Sequence, residues 1–140
     1  MTINFTVLGE PVAQGRPRAG RAKRGKTVMY DPKKSKEFKK YVGLVASQHA
    51  PSELLEGPLR VKVKVYKPLL KSFSKKQIAD AEAGLFRPVT KPDIDNYAKG
   101  IKDALNNVIW NDDSQVVELS VSKWYSAKPR VEVEVNELRT

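Results

Sequence analysis

Cysteine is missing from all 140 residues, and His49 is the only histidine. Without thiols there can be no disulfide framework and no thiolate zinc site, and a lone imidazole cannot build a histidine cluster. Any bound metal must therefore be held by oxygen. Long apolar runs are missing as well: none approaches the length that spans a bilayer, and the opening MTINFTVLGE has neither the basic nor the apolar region of a signal peptide. The expectation is a soluble, unsecreted, cytoplasmic protein made of a single domain over residues 1–140, a length at which one core suffices. A glycine-rich phosphate loop of the Walker type is also absent, which speaks against a nucleotide phosphohydrolase.

Acidic residues are scarce where basic ones crowd. Residues 16–40 hold 11 Lys or Arg against only Asp31 and Glu37, so this stretch carries nearly the whole formal charge of +10. Such a field attracts a polyanion, and nucleic acid is the usual one because each phosphate contacted releases condensed counterions. A solvated basic loop that aids solubility is the plainer alternative.

Ile3, Phe5 and Val7 alternate with polar residues and predict a first strand. Glycine, proline and arginine between Gly9 and Gly25 leave room only for a long basic loop, with a hairpin return through KTVMY. Asp31 and Pro32 suit the cap and first position of a helix over about 32–49, closed by Pro51. LRVKVKVYK alternates again, one face apolar and the other basic. Ser74 and Gln77 form the capping box of a second helix that ends at Gly84. The third helix carries Ile94, Tyr97, Ala98, Ile101, Ala104, Leu105 and Val108 on one stripe. Two last strands, QVVELSVSKWY and RVEVEVNEL, are separated by SAKP and predict an antiparallel hairpin. The order reads as α+β: about three helices on one face of a small mixed or antiparallel sheet.

Five aspartates fall between Asp93 and Asp113 of this basic chain. Each has an ordinary explanation taken singly. Aspartate at a helix start caps free N–H groups, Asp95 and Lys99 stand at ion-pair spacing, and NDDS is a polar turn. Together they suggest a site. Pro92 biases Lys91 toward extended backbone, so Asp93 and Asp95 straddle a loop-to-helix bend where both can converge, with Lys99 one turn further on. Asp112 and Asp113 can approach them only if the returning strand runs back beside a helix about 20 Å long. Converging carboxylates repel unless a cation neutralises them, and Mg²⁺ takes one or two carboxylates and fills its other positions with water and phosphate oxygens. A basic surface around such a site is the electrostatic layout of a nuclease, in which the metal polarises a phosphate and supplies the attacking hydroxide.

The stretch KPDIDNYAKGIKDALNNVIWNDDSQV resembles the signature of the RusA family of Holliday junction resolvases, small phage- and prophage-associated endodeoxyribonucleases. The family pattern D-x-D-N-x-x-K, then D-A-L, then D-D-x-Q-V is met by Asp93, Asp95, Asn96 and Lys99, by residues 103–105, and by Asp112, Asp113, Gln115 and Val116. VLGEPVAQGRPR is similar to the start of many phage members. The resemblance implies a homodimer that binds four-way DNA junctions and resolves them by paired symmetric nicks, leaving 5′-phosphate and 3′-hydroxyl ends. It implies one or two Mg²⁺ ions per subunit, with Mn²⁺ as a substitute. Asp93, Asp95 and Asp113 become the metal ligands, Asp112 the alternative third ligand, and Lys99 the group that steadies the phosphate or orients water. Asp103 fits the pattern but is assigned to structure or to an ion pair with Lys99.

Arg16, Arg18, Arg21, Lys23 and Arg24 would track DNA backbones, and Lys91 would contact substrate near the cut. Trp110, Phe73 and Phe86 are candidates for stacking on bases, although core packing suits Trp110 better. The competing class is a branched-DNA-binding or architectural protein that does not cut.

Overall fold

The computed structural model describes residues 1–14 and 32–138. In chain order it contains β1 (Thr2–Leu8), α1 (Pro32–Ser47), β2 (Leu59–Pro68), α2 (Lys75–Glu82), α3 (Ile94–Leu105), a short 3₁₀ turn (Asp113–Gln115), β3 (Val116–Ser126) and β4 (Arg130–Glu137). The α+β expectation holds: three helices and a four-stranded mixed sheet form one small domain.

Alternation decides which side of the sheet is core. Ile3, Phe5 and Val7 of β1, Val131, Val133 and Val135 of β4, and Leu59, Val61, Val63 and Val65 of β2 are all buried. Burying each such side chain stabilises by about 1.5–3 kcal/mol. Phe38, Val42 and Ala46 of α1 recur every fourth residue, and Tyr97, Ile101 and Leu105 of α3 complete the second wall of the same cluster. The opposite sheet face has no helix of this cluster on it.

Helix ends follow local chemistry. The side chain of Ser74 accepts from Gln77 N–H at 3.1 Å while Gln77 Oε1 accepts from Ser74 N–H at 2.8 Å, which is the expected capping box. The first helix ends at Ser47 rather than 49; its expected cap, Asp31, lies outside the described residues. The third ends at Leu105, not beyond Val108, because Asn107 turns left-handed (φ 67°) and donates its N–H to the Trp110 carbonyl at 2.7 Å. Ile94, expected on the apolar stripe, is instead 40% exposed on the first turn.

The expected hairpin of the last two strands does not form. The sheet order is β1-β4-β2-β3, with β2 antiparallel to β4 and parallel to β3. β2 and β4 take the two inner places with their apolar faces buried, while residues 117–120 of β3 are exposed and β3 takes an edge. Two strand spacings are about 10 Å, a gap that Ala127–Pro129 can span in extended form.

Candidate functional site

Asp93 occupies the cap position of α3 in extended conformation (φ −71°, ψ 154°), and its carbonyl accepts from the N–H groups of Asn96 and Tyr97. Its carboxylate makes no capping hydrogen bond. The ordinary explanation of an aspartate here is therefore unmet, and the side chain stands exposed. Asp95 lies in the first helical turn, also exposed, and Lys99 is exposed one turn later. Between them Tyr97 and Ala98 are buried and lock the helix to the core. Burial, then the negative charge of Glu10, pushes the Tyr97 phenol up to about 12, so it stays protonated across any working pH. Asp103 pairs with Lys39 of α1 at 3.7 Å, which fits the structural one of the two roles expected for it rather than an ion pair with Lys99.

Three consecutive carbonyls before Asp93 are gripped by ammonium groups. Lys123 Nζ donates to Thr90 O at 2.8 Å and to Pro92 O at 3.0 Å, and Lys67 Nζ donates to Lys91 O at 2.9 Å. Lys67 is held below the usual lysine range by its burial and then by the neighbouring Lys123 charge. Sequence reasoning missed both lysines. A signal existed for Lys123: it pairs across the strands with Val65, so a cation stands at an inward position of an alternating strand. Lys91 itself is exposed beside Asp93.

The N-terminal segment closes on the same helix. Gln14 N–H donates to Asn96 O at 3.3 Å, and Lys39 Nζ donates to Gln14 Oε1 at 2.8 Å. Arg16, Arg18, Arg21, Lys23 and Arg24 follow almost at once and lie outside the described residues. The basic stretch thus departs from the first turns of α3. The outward cations of β2, by contrast, are balanced. Lys62 and Lys64 face Glu134 and Glu132 across the sheet, and Arg60 pairs with Glu118 at 3.5 Å.

Asp112 and Asp113 do different work. Asp112 caps the 3₁₀ turn, accepting from Ser114 Oγ–H and Ser114 N–H. These bonds, the side-chain one first, hold its carboxyl below the usual range. Gln115 completes that cap and donates to the carbonyls of Leu55 (2.9 Å) and Gly57 (3.1 Å), which ties the turn to the core. Asp113 Oδ1 accepts from the indole N–H of Trp110 at 2.8 Å. Trp110 is fully buried, so it is a core residue and also the post on which Asp113 is fixed. Phe73 and Phe86, considered for base stacking, pack on Tyr125 with centroids 5.1 and 5.5 Å away.

The two acidic groups do not meet within one chain. Trp110 and Asp113 lie past the C-terminal end of α3 and Asp93 at its start, and a 12-residue helix is about 18 Å long. β3 gives an independent measure: Val116 follows Asp113 closely, Lys123 touches Pro92, and seven strand residues span about 23 Å. Among the described residues no three His, Asp or Glu side chains are placed to hold a metal ion together. The returning strand does run back beside α3. It carries the chain toward Asp93, but the acids sit before the strand begins.

The sequence model of the family described as Endodeoxyribonuclease RusA matches residues 9–136, from before the basic stretch to near the end of β4. The chain is also 62% identical over 138 residues to a Bacillus subtilis (strain 168) protein described as Uncharacterized protein YqaN. That alignment covers 97% of this chain and 96% of the relative.

Proposed function

This chain belongs to the endodeoxyribonuclease RusA family, and from that premise we propose that it is a Mg²⁺-dependent nuclease that resolves four-way DNA junctions by paired nicks, acting as a homodimer. The observation that carries the reading from family to site is the Asp93 carboxylate. It stands at a helix start, exposed and free of the cap bond that would otherwise explain it, on a loop braced by two lysines.

Separation of Asp113 from Asp93 is what two copies would mend. β3 is an edge strand whose residues 117–120 are exposed, with Val117 59% and Leu119 43% accessible. Beyond them the edge is covered, since Arg87 Nε donates to the Lys123 carbonyl at 3.0 Å. An uncovered edge with apolar side chains is a template for another strand, and a twofold axis makes that strand the same segment of a second copy. Antiparallel pairing of the open residues 117–119 about Glu118 would lay the start of one β3 along the far half of the other, which turns the Asp113 turn of each copy toward the end of the second copy where Lys123 holds the Pro92 carbonyl next to Asp93. Each composite site then takes Asp93, Asp95 and Lys99 from one copy and Asp113 from the other. The twofold also matches the symmetry of a four-way junction.

Carboxylate oxygens of this kind suit a hard cation, which binds through one or two of them and keeps positions for water and phosphate. Bound there, Mg²⁺ would supply charge stabilisation to the phosphoryl group and acidity to the attacking water. The chain's own residues do the rest. Asp93 and Asp95 would hold the ion from the start of α3, Asp113 would complete its ligands, and Lys99 would set a positive charge against the phosphate as its negative charge grows. Lys67 and Lys123 keep the Asp93 loop from shifting. Of the two acids in NDDS, Asp113 fits the ligand role, since its carboxylate is fixed by the buried Trp110, whereas Asp112 Oδ2 caps the 3₁₀ turn through Ser114.

A direct test presents end-labelled linear, forked and four-way DNA to the protein with Mg²⁺. Paired nicks in the four-way substrate, with ends that ligase reseals, are expected; uncut junctions with both Mg²⁺ and Mn²⁺, despite tight binding, would leave only the non-catalytic binder.

A further inference from the structure

Four planar side chains stand in a row across the outward face of the sheet, at the end whose inward face holds the Asp93 loop through Lys123. Arg130 lies 3.8 Å over the ring of Tyr66, Tyr66 stacks on Trp124 at 6.4 Å and 24°, and Arg87 lies 3.5 Å over Trp124. The two arginines stack alike and are otherwise unlike. Arg130 is consumed internally: its Nε donates to Glu132 at 2.8 Å, and its Nη1 donates to Ser126 Oγ at 3.1 Å and to the Lys128 carbonyl at 2.9 Å. Arg87 gives one N–H to the Lys123 carbonyl at 3.0 Å and, among the described residues, pairs with no carboxylate. It is exposed, and among the described residues the outer donors of its guanidinium meet no acceptor.

The backbone is built to keep it there. Gly84 turns with φ +79°, and a Cβ at that position would lie 3.0 Å from Trp124 Cζ3, so the chain closes tightly over the indole before it reaches Arg87. Stacking fixes the plane of the guanidinium and the Nε bond fixes its rotation. An arginine so held presents its remaining donors as a fork, the geometry that matches a phosphate, and has already lost the side-chain freedom that binding would otherwise cost. Its acceptor is the backbone of Lys123, whose ammonium passes to the inward face of the same strand and holds the Thr90 and Pro92 carbonyls next to Asp93, so Arg87 and the Asp93 loop flank one edge of the sheet from its two faces.

We infer that Arg87, laid flat on Trp124, is a phosphate-binding residue that grips the DNA backbone beside the Asp93 loop and sets which phosphodiester enters the site. This rests on the branched-DNA reading above. The competing explanation is that Arg87 only pins residues 84–92 to β3, and the two differ in what removing the charge does to binding.

The test measures four-way-junction affinity between 50 and 300 mM salt for wild type, Arg87→Ala, Arg87→Lys and Lys62→Ala, with a thermal melt of each. Arg87→Ala is expected to flatten the log–log salt slope by about 0.9, the loss of one phosphate contact. Arg87→Lys should keep the slope, because the charge remains, yet bind several-fold more weakly without the fork. Lys62→Ala should match wild type, since Glu134 already balances that charge. An unchanged slope in Arg87→Ala, with or without a lowered melting temperature, overturns the inference. Absence of junction binding by wild type instead defeats the nuclease reading beneath it.

Discussion

Asp93→Asn is expected to lower the single-turnover nicking rate at least about 10³-fold, about 4 kcal/mol of transition-state stabilisation, while junction affinity and melting temperature stay near wild type. An amide has the shape of the carboxylate but not its charge, so it holds a hard divalent cation far more weakly. The helix start supplies the control. Were Asp93 an ordinary cap, asparagine would replace it without cost and alanine would cost about 1 kcal/mol of stability. Its side chain makes no cap bond, so Asp93→Ala should melt within a few tenths of a kcal/mol of wild type and be as inactive as the asparagine variant. Nicking assays beside denaturant melts separate the two roles.

Trp110 gives the second large effect, and two substitutions divide it. Trp110→Ala empties a fully buried site in the cluster that joins α3 to the sheet, a loss of about 3–5 kcal/mol. Melting should fall by roughly 10–20 °C in a domain of this size. Trp110→Phe keeps most of the apolar volume and removes the indole N–H that holds Asp113 Oδ1 at 2.8 Å. It should cost far less stability, yet slow nicking by about 10–100-fold, the usual consequence of losing a group that orients a metal ligand. Equal nicking rates for the phenylalanine variant and wild type would mean that the Trp110 bond serves folding alone.

What could be read in the residues was what short-range chemistry decides. The Ser74–Gln77 box, the alternation of β2 and β4, and the α3 stripe each depend on neighbours within a turn or two, and each formed. The order of the strands depends on which apolar faces bury best against two helices. SAKP is short enough for a hairpin and also long enough to cross the end of β2, so its length could not decide. The site divides the same way. Asp93, Asp95 and Lys99 are each exposed on the first turns of α3, as their place in the sequence suggests. The distance to Asp113 was illegible because it depends on where β3 begins relative to α3, a property of the whole sheet. Lys67 and Lys123 went unseen for a related reason: their partners are backbone carbonyls, which leave no mark in a pattern of side chains. Of residues 16–40, on which the charge reading rests, 16–31 lie outside the described residues.

Mixing two inactive variants tests the shared site most directly. Asp93→Asn and Asp113→Asn, each alone a symmetric dimer without an intact site, are denatured together, refolded and given a labelled four-way junction with Mg²⁺. If Asp113 serves the opposite copy, the mixed dimer regains one complete site, and single nicks should appear at up to about half the protein's dimers. If each copy holds its own three acids, the mixture stays as inactive as its parents, and the composite site is wrong.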